Sequence, residues 1–233
     1  MKNFIRQFVI ASVVVLVAGC GSAVTLEPVT IPRPLIDPIP ATVGLRMPEN
    51  FHHYVHEEEV LGSEEWSINL GAANAELFTQ LYGHMFDRVV LLSDDDNPDE
   101  HDLDALIEPA IEAFEFSVPN QSKTKSFAVW IRYRITVYDN NGDVVADWPV
   151  SAYGKSQKES VSGPKALQRA AVLAMRDAAA LMIMKLDQAA GISGLAADRR
   201  GETTPPDTET DTQLESEPEA QTSQLGATAG DEN

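Results

Sequence analysis

The chain has a single cysteine, Cys20, among its 233 residues. One thiol excludes an internal disulfide and a zinc site built from several thiolates. Basic residues are also scarce, because 17 Lys and Arg stand against 36 Asp and Glu, for a formal net charge of −19. This balance, with no basic patch interleaved with aromatic residues, argues against nucleic-acid binding. It argues equally against electrostatic adhesion to anionic lipid.

Signatures of catalysis are missing as well. The sequence has no Gly-x-Ser-x-Gly elbow, no Walker phosphate loop and no dinucleotide fingerprint. The acidic stretch over residues 94–102 invites a calcium interpretation, but Asp99 and Ala105 stand where an EF-hand loop needs Gly and Glu. The chain is therefore predicted not to be an enzyme and to carry no cofactor.

The amino-terminal residues have the pattern of a secretory signal. Lys2 and Arg6 precede an apolar run over residues 8–18 that is too short to span a bilayer in the mature protein. Ala18-Gly19-Cys20, preceded by Leu16-Val17, resembles the lipobox of bacterial lipoproteins, although Val17 stands where Leu is usual. The resemblance implies cleavage before Cys20 and acylation of its thiol, and two or three acyl chains anchor a protein stably. The alternative is an ordinary secretory signal with a chance cysteine.

Composition divides the remaining chain into three parts. Residues 20–40 are rich in proline, which predicts an extended tether between membrane and domain. Residues 41–190 carry the strand and helix patterns and are predicted to form one α+β periplasmic domain. Residues 191–233 contain no aromatic residue, and after Arg200 they contain nine acidic residues and no basic one. Such a segment buries too little apolar surface to order itself, so a disordered acidic tail is predicted.

Within the predicted domain, the clearest pattern is a meander of three strands. Apolar residues alternate with polar ones over residues 127–137 and again over 144–152, and the Asn-Gly turn at Asn141-Gly142 joins the two runs. Pro149 has no backbone N–H to donate to a neighbouring strand, so the second run is predicted at a sheet edge. Residues 106–118 form a third run whose phase shifts by one residue, which indicates a bulge.

Two helices and three short strands complete the pattern. Helices are predicted over residues 70–86 and from about 162 to 188, and short strands over 42–47, 51–56 and 88–92. This order favours an α+β two-layer sandwich, with a mainly antiparallel sheet and two helices packed on one face. The opposite sheet face would present Trp130, Arg132 and Arg134, which are the candidate binding residues.

One histidine cluster keeps a metal-binding alternative open. His52, His53 and His56 are followed by three glutamates, and His52 and His56 would share a face if the segment were helical. The other interpretation of this cluster is a solvated, charged loop. A second alternative is a carrier that holds an apolar ligand such as a lipid between the long helix and the sheet.

Two passages resemble small bacterial envelope lipoproteins: residues 67–89, and residues 128–154 with their Asn-Gly hairpin and Trp148. The families concerned are lipopolysaccharide-assembly lipoproteins and auxiliary lipoproteins of transport systems. Gly21 and Ser22 after the anchor, without Asp, resemble lipoproteins sorted to the outer membrane. The resemblance implies a non-catalytic, periplasm-facing outer-membrane lipoprotein, anchored through Cys20. It would bind or scaffold in envelope assembly or transport, through an envelope protein partner or self-association.

Overall fold

The computed structural model describes residues 21–60, 62, 64–122, 124–157, 162–185 and 194. The predicted signal, Cys20 and, apart from Gly194, the predicted acidic tail lie outside the described residues. Among the helices that the structure does describe, none combines the length and the apolar character needed to cross a bilayer.

The described chain combines mostly antiparallel strands with helices, which makes the fold α+β as predicted. The described strands are β1 Gly21–Thr25, β2 Ile39–Arg46, β3 Val55–Val60, β4 Glu64–Asn69, β5 Phe86–Leu92, β6 Ala105–Ser117, β7 Ser126–Tyr138 and β8 Val144–Gln157. The described helices are α1 Glu49–His52, α2 Gly71–Met85, α3 Pro119–Ser122 and α4 Gly163–Met184, with a 3₁₀ turn at Pro98–Glu100.

The strands form two sheets. The larger one has the order β5-β2-β6-β7-β8, in which β2 runs parallel to β5 and β6, while β6, β7 and β8 form an antiparallel meander. The smaller one has the order β1-β4-β3, with β1 parallel and β3 antiparallel to β4. The predicted meander is present, whereas the second sheet and the parallel pairs were not predicted.

The meander follows from the alternation in the sequence. Ile131, Tyr133 and Ile135 on β7 are fully buried, because every second side chain of a strand points to the same face. The bulge predicted in β6 lies between Ile111 and Ala113, and β8, with its proline, is an edge strand as predicted. Gly142 closes the hairpin with a φ of 82°, a conformation that glycine adopts without strain.

Both long helices cover the same face of the larger sheet. The hydroxyl of Tyr133 on β7 donates a hydrogen bond to Asn74 Oδ1 of α2 at 2.7 Å. Gly154 of β8 lies against the backbone of α4 at Ala170 and Ala174. Tyr133 and Gly154 point to the same face of the paired strands β7 and β8, so α2 and α4 pack on one side of the sheet. This confirms the two-layer arrangement predicted from the sequence.

The smaller sheet closes one end of this sandwich. The indole ring of Trp66 on β4 has its centroid 5.7 Å from that of Phe116 and 6.1 Å from that of Phe127. Phe116 stands at the end of β6 and Phe127 at the start of β7. We call this the β1 end of the domain. The opposite end, where β7 turns into β8, is the hairpin end.

The segment predicted as a tether packs against the domain instead. Residues 21–25 form β1, and Val29 and Ile31 are buried in the main core. Gln80 of α2 accepts a hydrogen bond from Ile31 N and donates one to Val29 O, each at 3.3 Å, while Arg176 of α4 donates to Thr30 O at 3.3 Å. We call residues 26–36 the N-terminal strap. The strap is extended, as its prolines predict, but most of its apolar side chains are buried in the core that α2 and α4 share.

The contact between β8 and α4 predicts a large effect of adding one methyl group. An ideal Cβ at Gly154 would lie 2.0 Å from Ala170 O and 2.4 Å from Ala174 N, so Gly154→Ala must push the helix from the sheet. We expect a loss of at least about 1–3 kcal/mol in the free energy of unfolding, measured by urea denaturation. Gly83→Ala is the matched control, because a Cβ there meets nothing within 4 Å and improves the helix. Equal stabilities of the two variants would contradict this packing.

The strap gives a second prediction. Val29 is only 2% exposed, whereas the adjacent Thr30 is exposed. Val29→Asp would bury a carboxylate without a partner, so we expect a loss of about 2 kcal/mol or more in the free energy of unfolding. Thr30→Asp adds the same charge one residue away and should change stability by less than about 0.5 kcal/mol. Should both variants unfold like the wild type, the segment would be a free tether after all.

Candidate binding surface

The outer face of the larger sheet, opposite the helices, carries all three residues that the sequence pointed to. Trp130, Arg132 and Arg134 alternate along β7 with the buried residues of the core. Their cross-strand neighbours on β6 and β8 share the same face, so the surface can be followed pair by pair.

Arg134 is occupied by two carboxylates. Its guanidinium forms ion pairs with Glu112 of β6 and with Asp147 of β8, the latter at 2.7 Å between Nη1 and Oδ2. Hydrogen bonds to Glu112 and then to Asp147 raise the pKa of Arg134 further above its ordinary value. These contacts cross-link three strands and neutralise the cation. Arg134 therefore holds the sheet together, and little of its charge is left for a ligand.

Trp130 belongs to an exposed aromatic pair. It lies directly opposite Tyr153 of β8, with ring centroids 5.1 Å apart and an angle of 47° between the planes. Trp130 is 44% exposed and Tyr153 43% exposed. Tyr153 was missed in the sequence, although its outward position in the alternation of β8 was the signal that could have found it. Exposed tryptophan and tyrosine side chains are enriched at the centres of protein interfaces.

Arg132 completes this surface. Its cross-strand neighbours are Ala113 and Ser151, which carry no charge, and among the described residues none forms an ion pair with it. A shallow groove of about 220 Å³ runs beside its side chain, between Trp130 and Ser151, and Glu115 of β6 lines it as well. We call Trp130, Arg132 and Tyr153 the aromatic–arginine patch. It combines two rings with a cation that is available to an incoming carboxylate or carbonyl group.

The histidines predicted as possible metal ligands have separate neighbours. His53 Nδ1 lies 3.0 Å from Glu49 Oε1, and His56 Nε2 lies 3.2 Å from Glu58 Oε2. His52 ends α1 and His56 belongs to β3, so the single strand predicted over residues 51–56 is wrong. Across the part of the chain that the structure describes, no three His, Cys, Asp or Glu side chains are grouped to hold a metal ion. The geometry therefore gives the metal-binding alternative no support.

The space between the long helix and the sheet leaves no room for a lipid chain. The alanines of α4 at positions 166, 170, 171, 174 and 178 are fully buried. Beneath them, Gly154 approaches the helix backbone so closely that even a methyl group has no space. The structure thus argues against an apolar ligand at this place.

Most of the large apolar side chains of α4 are at least partly buried, although the outward positions of the helix are exposed. Met175 and Met182 are buried, and Val172 and Ile183 pack on the main core. Leu173 and Met184 remain exposed. Met175 and Met182 are therefore core residues, whereas Met184 is not.

Comparisons with known proteins give only distant similarities. No family model and no curated protein matches the chain. A Xanthomonas campestris protein of family DUF330 superposes with a TM-score of 0.45 at 15% identity, over 77% of this chain and 99% of that one. A minor lipoprotein of Acinetobacter baumannii gives 0.37 at 11%, over 66% and 96%. Lipoprotein GNA1162 of Neisseria meningitidis gives 0.31 at 12%, over 65% and 99%. Because these TM-scores lie below 0.5, the function is argued from the chain's own residues.

Proposed function

We propose that this chain is a lipid-anchored, non-catalytic protein of the bacterial outer membrane that faces the periplasm. In this proposal it binds a protein partner in envelope assembly or transport through the aromatic–arginine patch. The observation that carries the binding role is the exposed Trp130–Tyr153 ring pair beside Arg132. The anchor rests on the lipobox-like sequence that ends at Cys20.

The position of β1 supports a domain held close to the membrane. Gly21, the residue after Cys20, already pairs with Glu65 in the smaller sheet. Acyl chains on Cys20 would therefore be joined to the folded domain by a single peptide bond, without a flexible spacer. This would keep the β1 end at the bilayer surface, while the hairpin end points away from it.

The patch lies near the β1 end. Trp130 is four residues from the first residue of β7, or about 13 Å along the strand. An anchored domain would thus present the patch within reach of a partner that is itself in or on the membrane. This placement favours an envelope protein over a freely diffusing one.

The anchor is tested by Cys20→Ser. Without the thiol there is neither an acylation site nor a complete lipobox, so we expect incorporation of labelled palmitate to be lost and the uncleaved precursor to accumulate. Ser22→Ala, two residues further along, should leave both unchanged. A Cys20→Ser protein that still takes up palmitate, or a wild type that takes up no acyl chain, would contradict lipidation.

The patch is tested by photo-crosslinking of the lipidated protein in intact cells. A photoreactive amino acid at position 153 should yield one major protein adduct, whereas the same group at Leu173, which is exposed on α4 on the other side of the sheet, should not. Trp130→Ala or Arg132→Glu should weaken the complex by roughly 30-fold, since central interface residues contribute about 2 kcal/mol or more. The same adduct from both positions, or full yield from the Arg132→Glu protein, would rule out the patch as the interface.

A further inference from the structure

A second recess lies at the other end of the outer sheet face. It is bounded by the segment over residues 97–106 and by the turn over residues 138–142, at the hairpin end. We call it the distal cleft. Its volume of about 660 Å³ is three times that of the groove at the patch and falls in the range of ligand sites, roughly 300–1,000 Å³.

The floor of the distal cleft is apolar. Leu103 and Leu106 line it and pack with Leu92 in a small cluster that is separate from the main core. The ring of Tyr138, the cross-strand neighbour of Leu106, packs against the same cluster. A ligand with an apolar part would therefore find a dry surface at the bottom of the recess.

The rim of the distal cleft is acidic. Asp99 and Asp102 stand exposed on one wall, and Asp139 stands on the other. Among the described residues that line the cleft, Arg46 is the only lysine or arginine, and its guanidinium is paired with Glu108; His101 lines the cleft as well. The surplus negative charge on the rim, in a chain of net charge −19, attracts cations and repels anions.

The walls are fixed before any ligand arrives. The carboxylate of Asp139 accepts hydrogen bonds from Asn141 N at 2.8 Å and Asp143 N at 2.9 Å, which close the turn and hold the pKa of Asp139 below its usual value. On the other wall, Asp104 Oδ2 accepts from Thr42 N at 2.8 Å, and Asp104 N donates to Thr42 O. Rigid walls lower the entropy cost of binding.

We infer that the distal cleft binds a lysine or arginine side chain that a partner protein presents next to an apolar residue. The cation would lie between the carboxylates of the two walls, and the apolar neighbour would cover Leu103 and Leu106. This inference goes beyond the proposed function, because the distal cleft and the patch lie at opposite ends of the sheet face. The rim excludes nucleic acid and free fatty acids, since both carry negative charge.

The test is an amide-shift titration of the full chain with three capped tripeptides, in which Lys, Gln or Glu stands between two leucines. We expect only the Lys peptide to bind, with shifts concentrated at Asn140, Asn141 and Gly142 and with affinity that falls as salt rises. Asp99→Asn/Asp102→Asn should weaken binding by about fivefold or more, since each partly exposed carboxylate contributes modestly.

The matched control is Asp95→Asn/Glu100→Gln. It removes the same charge from exposed positions of the same acidic stretch that do not line the distal cleft, and should leave the affinity nearly unchanged. Three outcomes would overturn the inference: shifts that fall elsewhere or are absent at millimolar peptide, equal weakening by the control, or equal binding of the Gln or Glu peptide. Loss of the crosslink at position 153 would not affect this result, so the two proposals fail separately.

Discussion

The approach of α4 to β8 is the contact on which the rest of the domain depends. Gly154 and the small side chains of α4 bring a helix backbone against a strand backbone, closer than any larger residue permits. This contact fixes the height of the helix layer above the sheet. That height in turn lets Asn74 of α2 reach Tyr133 at 2.7 Å, where burial raises the pKa of Tyr133 and keeps its hydroxyl a donor. With the inner face of the larger sheet closed in this way, that sheet can meet a partner through its outer face.

The outer face is divided into regions of different chemistry. Near the β1 end lies an aromatic pair with an available cation, and near the hairpin end lies an acid-rimmed recess with an apolar floor. Between them, Arg134 forms ion pairs with Glu112 and Asp147 on the adjacent strands, and at the edge of the recess Arg46 forms one with Glu108. The two guanidinium charges are neutralised within these ion pairs. A single partner that spans both ends would need an acidic or carbonyl-rich part and a basic part, about 20 Å apart along β7.

Much of the architecture could be predicted because the meander and the long helix carry strong local patterns. Strict alternation in β7, the Asn-Gly turn and the phase shift in β6 each specify structure within a few residues. The smaller sheet could not be predicted in this way. β1 and β4 are short, and their parallel pairing joins Gly21 to Glu65, a partner that no local pattern specifies. The strap was misjudged because its prolines indicate an extended chain but do not say whether that chain packs.

The candidate site, too, was predictable where local pattern decides and unpredictable where distant contacts decide. Alternation placed Trp130, Arg132 and Arg134 on the outer face, but only the three-dimensional structure shows that Arg134 forms ion pairs with Glu112 and Asp147, whereas none of the described residues forms one with Arg132. The distal cleft arises from the meeting of residues 97–106 with a hairpin more than thirty positions later, so spacing alone could not indicate it.

The N-terminal strap has a consequence for the order in which the chain assembles. Thr25 and Thr30 are held by Gln168 and Arg176, side chains 143 and 146 residues further along the sequence. The first segment to leave the ribosome therefore finds its docking surface only after nearly the whole domain has been made. Until then the segment lacks the side chains that hold it in the folded domain. In the lipid-anchored protein that we propose, this late docking would give the domain its set orientation at the membrane.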